Sequence, residues 1–194
     1  MPANQIEMSS QCDSSSSAVS LPEPVSFPES ISNPLVVFGS RSYERMGSAR
    51  ELGERLVSDL EDAGVQFDAI VSGGARGADR AGEVAGVLTD TPVVVFNVNG
   101  VDDRHHWYAD QSDALYQVET VSSSDGDDDL PGEGRREPYM LRNDMMAEFV
   151  ADRDGSAWAI WNGESTGTQA MLASWRRRDV SGDPLTVQRF GKWG

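Results

Sequence analysis

Cysteine, histidine and lysine are nearly absent from this chain of 194 residues. The single cysteine, Cys12, cannot form an internal disulfide or supply a cysteine-based zinc site. The two histidines, His105 and His106, are adjacent, and adjacent side chains point in different directions on a helix or a strand. We therefore expect no metal site, and we interpret the histidines as part of a solvent-exposed loop.

Long hydrophobic runs are also missing. No apolar run reaches the roughly 18 residues that a membrane-spanning helix needs. The first residues lack the basic start and apolar stretch of a secretory signal. These features predict a cytoplasmic protein with no membrane partner.

Charge of one sign dominates, because 32 acidic residues outweigh 16 basic ones and give a formal net charge of −16. Most of the acidic excess lies in residues 1–34 and 100–137, and Lys192 is the single lysine. This composition is typical of proteins from haloarchaea or their viruses, and also of ordinary acidic loops encoded by a high-GC genome. Because no basic patch is evident, we do not expect a nucleic acid partner.

The chain divides by composition into a tail and one domain. Residues 1–33 are rich in serine, proline and glutamate and lack a periodic apolar pattern, which predicts a disordered tail. Residues 34–194 form a single predicted domain with an acidic insertion at about 100–137. Apolar helix faces in this domain could serve a homo-oligomer as well as a core.

Short apolar runs alternate with helical patterns along the domain. This order predicts an α/β fold with five strands in a mainly parallel sheet and helices on both faces. The predicted strands are residues 35–38, 67–71, 93–96, 157–161 and 185–190. The predicted helices are residues 44–63, 78–88 and 139–153, with one more after Thr168.

A glycine-rich turn follows the second predicted strand. Gly73, Gly74 and Gly77 lack the Cβ atoms that would keep an anion off the backbone. A strand, a glycine turn and a helix start form a phosphate site, because free N–H groups and the helix dipole face the ligand. Arg76 adds a permanently charged donor. The turn predicts a ligand of the nucleotide type.

Two further small-residue turns follow the first and fourth strands. Gly39, Ser40 and Arg41 form one, and residues 162–168 form the other. Because the carboxyl ends of parallel strands share one edge of a sheet, we expect these turns to line a common crevice, where ligands of such folds bind.

Four motifs resemble those of one known group. They are Gly39-Ser40-Arg41, the glycine turn with Asp79, Arg142-Asn143 followed by Met145 or Met146, and Gly167-Thr168 with Met171. Together they resemble the YspA-like, YpsA-related branch of the SLOG superfamily, which joins the Smf/DprA DNA-processing proteins to the LOG phosphoribohydrolases. The resemblance covers about residues 35–190 apart from the acidic segment. It implies a Rossmann-like three-layer fold and a nucleotide or nucleotide-derived ligand, such as one resembling ADP-ribose.

The resemblance also implies roles for individual residues. Arg142 and Asn143 would reach the base, ribose or phosphate, and Asp79 would accept a ribose hydroxyl or simply add negative charge to the first helical turn. The main phosphate loop would be Gly73, Gly74, Ala75, Arg76 and Gly77. Gly39, Ser40 and Arg41 would line the neighbouring crevice, and a second anion cradle would comprise Gly163, Ser165, Thr166, Gly167 and Thr168.

Ala170 stands where the LOG enzymes carry a catalytic glutamate, two residues after the threonine of the Gly-Thr motif. This departure favours a sensor or effector domain that binds a small-molecule nucleotide without turnover. One alternative is a hydrolase of N-glycosidic or phosphate bonds, with Asp79 or Glu164 as the acid or base. A second alternative is single-stranded DNA binding of the DprA type.

Overall fold

The computed structural model describes residues 30–98, 115–120, 137–178 and 185–190. The predicted tail up to residue 29 lies outside this part, as do His105 and His106.

A single sheet of six parallel strands forms the centre of the domain, in the order β4-β3-β2-β1-β5-β6. The strands are β1 Pro34–Gly39, β2 Ala69–Ser72, β3 Val93–Val98, β4 Leu115–Thr120, β5 Ser156–Trp161 and β6 Leu185–Arg189. The helices are α1 Ala49–Asp62, α2 Ala78–Leu88, α3 Glu137–Ala151 and α4 Thr166–Arg177, with a 3-10 helix at Arg41–Met46. The predicted α/β, Rossmann-like architecture is confirmed.

The sixth strand, β4, was not predicted. Its residues were assigned to the acidic insertion, but they pair in parallel with β3 from Val93↔Leu115 to Val98↔Thr120. The segment reads Leu-Tyr-Gln-Val-Glu-Thr, and its aromatic and β-branched residues favour a strand. Residues 115–120, which lie within the acidic insertion predicted at about 100–137, therefore form a strand of the central sheet.

The first helix also differs from its prediction, which began at about residue 44. α1 starts later because Ser48 caps it: the Ser48 hydroxyl accepts from the Glu51 N–H at 3.3 Å, and the Glu51 carboxylate accepts from the Ser48 N–H at 2.8 Å. Hydrogen bonds that the Ser48 N–H and the Ser48 hydroxyl donate to the Glu51 carboxylate lower the pKa of Glu51.

Alternating strand residues supply a core on each face of the sheet, as expected for a three-layer fold. One core packs under α3 and α4 and includes Val36, Phe38 and Trp175. The other packs under α1 and α2 and includes Leu56 and Ile70. None of the described helices is long and apolar enough to cross a membrane.

Residues 31–33, which the sequence assigned to the tail, pack against the domain. Ile31 is only 5% exposed within the core. The Ser32 and Asn33 N–H groups donate to the Asp68 carboxylate at 2.6 and 3.0 Å. Burial acts to raise the pKa of Asp68, but these hydrogen bonds outweigh it and lower that pKa.

Candidate functional site

A cleft of about 710 Å³ opens at the carboxyl edge of the sheet. The loop after β1, the glycine turn, the first turns of α3 and the start of α4 form its walls. Its volume lies in the range typical of small-molecule sites.

The N-terminus of α4 faces this cleft. Ser165 caps the helix, and its hydroxyl accepts from the Thr168 N–H at 3.4 Å. The N–H groups of Thr166 and Gly167 have no acceptor within the helix, because they belong to its first turn. Thr168 is 2% exposed, and its Oγ1 has no hydrogen-bond partner within the described part of the chain. Such an arrangement suits an anion.

Asn162 joins the loop after β5 to the loop after β1. Its Oδ1 accepts from the Ser40 hydroxyl at 2.9 Å and from the Glu164 and Ser165 N–H groups at 3.0 Å each. Its Nδ2 donates to the Ser42 hydroxyl at 3.3 Å. Sequence reasoning gave Asn162 no role, although asparagine before a glycine turn commonly accepts from backbone N–H groups ahead of it.

Arg142 connects α3 to the glycine turn. Its Nη1 donates to the Gly73 carbonyl oxygen at 2.7 Å, and its Nη2 donates to the Asn143 Oδ1 at 3.1 Å. Its Cζ lies 5.5 Å from the centroid of the Tyr139 ring. Burial lowers the pKa of Arg142, and the neighbouring Asp79 acts to raise it. A guanidinium stays charged under these conditions.

The glycines of the turn are required by contacts within the protein. A Cβ at Gly73 would lie 2.7 Å from the Arg142 Cζ and 2.8 Å from the Asp79 Oδ2. Gly77 has a φ of 83°, and a Cβ there would lie 2.5 Å from the Ser40 carbonyl oxygen. The absent Cβ atoms at these two positions make room for neighbouring loops.

The structure places the residues predicted from the sequence in two groups. Those lining the cleft are Gly39, Ser40, Arg41, Ala75, Asp79, Arg142, Asn143, Glu164, Ser165, Thr166, Gly167 and Thr168. Those outside its lining are Gly73, Gly74, Arg76, Gly77 and Gly163. Arg76 is exposed and lies 3.7 Å from the Glu44 carboxylate. Their ligand roles stay predictions.

The two candidate acids occupy different environments. Asp79 is 4% exposed, and its Oδ2 accepts from the Ala75 N–H at 3.3 Å. Burial raises its pKa, against the opposing effects of Arg142 and of the Ala75 and Gly39 N–H groups. Glu164 is exposed at the mouth of the cleft. Over the described residues, no three His, Cys, Asp or Glu side chains form a group that could hold a metal ion.

A second buried carboxyl, Glu83, lies behind the glycine turn and was missed by sequence reasoning. It is 1% exposed and accepts a hydrogen bond from the Ser72 hydroxyl. The same hydroxyl accepts from the Gly74 N–H at 3.0 Å. Burial raises the pKa of Glu83 to about 8. The available signal in the sequence was that Glu83 is a single charged residue among the alanines, glycines and valines of residues 81–87.

Comparisons with known proteins identify structural neighbours only. No protein-family model and no curated protein matches the sequence. The chain is similar in structure to DNA processing protein A from Helicobacter pylori, which is described for its unique single-stranded DNA binding mode. This match has a TM-score of 0.52 and 16% identity, and it covers 81% of this chain and 65% of that one.

A second similar structure is DNA processing protein A from Streptococcus pneumoniae. Its TM-score is 0.43 at 15% identity, and the match covers 81% of this chain and 59% of that one. The chain therefore spans less than two thirds of either neighbour. At 16% identity, the likeness to the Helicobacter pylori protein shows a shared fold alone.

One expectation from the sequence needs correction, namely that nucleic acid is not a partner. It is overturned by the likeness to a chain described as binding single-stranded DNA. The expectation relied on the absence of an evident basic patch in a sequence whose acidic excess comes mainly from residues 1–34 and 100–137. Among the described residues, the charged side chains that line the cleft are two arginines, Arg41 and Arg142, and two acids, Asp79 and Glu164.

Proposed function

We propose that this chain binds single-stranded nucleic acid and holds one nucleotide unit of the strand in the cleft. The carrying observation is that the N-terminus of α4 and Arg41 line one cleft with Tyr139 and Met140. The helix N-terminus and Arg41 can bind a phosphate group, and Tyr139 and Met140 can bind a base.

The phosphate is proposed to bind at the start of α4. The N–H groups of Thr166 and Gly167 supply donors there, and the unpartnered hydroxyl of Thr168 supplies another. The helix dipole adds a favourable potential for negative charge. Arg41 is exposed, lines the same cleft and supplies a permanently charged donor.

The base is proposed to bind against the first turns of α3. Tyr139 is part-buried and lines the cleft, and Met140 is 49% exposed beside it. Aromatic faces stack on bases whatever their sequence, and a thioether adapts to flat apolar surfaces. This subsite therefore suits binding with little sequence preference.

The similarity to DNA processing protein A supports this proposal, because that protein is described as binding single-stranded DNA. It also agrees with the DNA-processing side of the SLOG resemblance. Assignment to the YspA-like branch, a halophilic source and a cytoplasmic setting are further parts of the proposal.

Fluorescence anisotropy of the full chain with a labelled oligothymidylate of about 20 nucleotides tests the proposal. Arg41→Ala should weaken binding about tenfold, since a charged hydrogen bond contributes about 1.5 kcal/mol. Arg50→Ala is the matched control, because Arg50 is exposed, pairs with Glu54 on α1 and lies outside the cleft. Absence of saturable binding at low salt, or equal losses in the two variants, would overturn the proposal.

A second candidate is a free nucleotide-derived ligand, bound by a sensor or effector domain. The volume of the cleft, about 710 Å³, favours it, because a whole small molecule fits within such a space. Calorimetric titration with ADP-ribose and nucleoside monophosphates distinguishes the two. Saturable binding of one of these compounds, together with no binding of the oligonucleotide, would replace the first candidate by the second.

A further inference from the structure

We propose that Asn143 makes the cleft select bases with a carbonyl oxygen on their pairing edge, namely thymine, uracil and guanine, over cytosine and adenine. This inference rests on the proposed binding of a nucleotide unit in the cleft, and it names the chemical class of the base.

The orientation of the Asn143 side-chain amide is fixed by Arg142. The Arg142 Nη2 donates to the Asn143 Oδ1 at 3.1 Å. A guanidinium has donors and no acceptor, so the amide atom that faces it must be the oxygen. Arg142 is itself held by its hydrogen bond to the Gly73 carbonyl oxygen at 2.7 Å. The Asn143 Nδ2 is therefore the end of the amide that Arg142 leaves free.

This nitrogen is an available donor in the wall of the cleft. Asn143 is 4% exposed and lines the cleft. Its Nδ2 has no hydrogen-bond partner among the described residues. The fully buried polar side-chain atoms that lack a partner there include the Thr168 Oγ1 but not the Asn143 Nδ2. The nitrogen therefore keeps access to the cleft, and a ligand atom can accept from it.

Asn143 lies beside the place where the base is proposed to bind. Tyr139 precedes it by four positions on α3, and residues four apart on a helix are neighbours on one face. Met146, three positions after Asn143, lines the cleft on the same stripe of the helix. The phosphate is proposed to bind at α4, so the part of the nucleotide beside Asn143 is the base.

A directional donor at the edge of a base discriminates between bases, whereas stacking on Tyr139 discriminates little. Thymine, uracil and guanine offer a carbonyl oxygen that accepts from Nδ2. Cytosine and adenine carry an amino group at the corresponding position, which sets two donors against each other. A base of the second kind displaces water from Nδ2 without replacing its hydrogen bond, and that loss weakens binding.

Fluorescence anisotropy of the full chain with two labelled oligonucleotides of about 20 nucleotides tests the inference. They are oligodeoxyuridylate and oligodeoxycytidylate, whose bases carry a carbonyl oxygen and an amino group, respectively, at the same ring position. The wild-type chain should bind oligodeoxyuridylate about fivefold more tightly, as expected for one hydrogen bond.

Two substitutions assign the preference to the amide nitrogen. Asn143→Asp keeps an oxygen for Arg142 and replaces the donor by an acceptor, so it should reverse the preference. Asn143→Ala removes the donor without adding a charge and should bring the affinity ratio to about one. Gln169→Glu is the control for the charge of the aspartate variant, because Gln169 is exposed on α4 outside the cleft lining. It should leave the ratio unchanged.

The outcomes separate the two proposals. Equal wild-type affinities for the two oligonucleotides, or tighter binding of oligodeoxycytidylate, would overturn the inference and leave the proposed function standing. A wild-type ratio that persists in the alanine variant would also overturn it, since another group would then carry the preference. No binding of either oligonucleotide would overturn the proposed function, and the inference with it.

Discussion

The Arg142 guanidinium donates a hydrogen bond to the Gly73 carbonyl oxygen at 2.7 Å, and its Cζ would lie 2.7 Å from a Cβ at Gly73. This contact joins α3 to the turn after β2 across one end of the cleft. The arginine and the glycine are therefore a single structural unit, although 69 positions separate them in the chain. A change at either residue should affect stability as well as binding.

Arg142→Lys should lower the free energy of unfolding by about 1 to 3 kcal/mol. Lysine keeps the charge but lacks the planar guanidinium that donates to both Gly73 and Asn143. One of these two acceptors would therefore lose its hydrogen bond. Urea unfolding measures the loss. Arg176→Lys, on the exposed face of α4, is the control and should change stability little. Equal stabilities of the two variants would contradict the role assigned to Arg142.

Gly77→Ala should cost more stability than Gly64→Ala. Both glycines have positive φ values, 83° and 67°, so both substitutions carry backbone strain of at least about 1 kcal/mol. The strain is greater at Gly77, because its ψ of −119° lies outside the left-handed region that other residues can enter. A Cβ at Gly77 would also lie 2.5 Å from the Ser40 carbonyl oxygen, whereas nothing lies within 4 Å of one at Gly64. We expect an additional loss of about 1 to 3 kcal/mol at Gly77. Thermal unfolding of the two variants checks the difference, and matching losses would refute it.

Glu83→Gln should change how stability depends on pH. Burial raises the pKa of Glu83 from 4.5 to about 8, so the unfolded chain releases this proton at lower pH than the folded chain does. The contribution of Glu83 to the free energy of unfolding is fully present below pH 4.5. It falls by about 1.4 kcal/mol per pH unit as the pH rises from there to about 8.

The glutamine variant has no such proton to release. Its stability should therefore fall less steeply over that interval and should exceed that of the wild type near pH 8. Urea unfolding at a series of pH values compares the two chains. If the free energies of unfolding of wild type and variant change in parallel with pH, Glu83 does not control the pH dependence of stability.

Thr168→Val should separate binding from stability. Its Oγ1 is buried without a hydrogen-bond partner in the part of the chain described, so the isosteric methyl group should keep or raise stability by up to about 1 kcal/mol. Oligonucleotide affinity should fall about tenfold, since a hydrogen bond to a charged phosphate is lost. Thermal unfolding and anisotropy measure the two effects. A variant with wild-type affinity would remove Thr168 from the phosphate site.

Most of the fold could be predicted because its strands are buried on both faces. Residues 93–96 form an unbroken apolar run, and that pattern indicates a parallel strand without knowledge of its neighbours. β4 lacks such a run and lies within an acidic stretch, so composition hid it. Its pairing with β3 depends on the sheet and not on local sequence.

The cleft could be located from the sequence, but the direction of its side chains could not. Turns after parallel strands meet at one edge, and the turns at Ser40 and Asn162 do so through a hydrogen bond of 2.9 Å. Arg76 was predicted to face the ligand, yet it lies beside Glu44 outside the cleft lining. Arg142 fills the space beside Gly73. The direction of each of these side chains depends on its neighbours in the folded structure, and a sequence motif does not contain that information.

The hydrogen bonds of Asn162 bear on the entropy of binding. Because one amide oxygen accepts from Ser40, Glu164 and Ser165, the two loops on either side of the cleft are already ordered before any ligand arrives. A ligand that binds there loses little affinity to the ordering of these loops. The Asn162 amide therefore preorganises this part of the cleft.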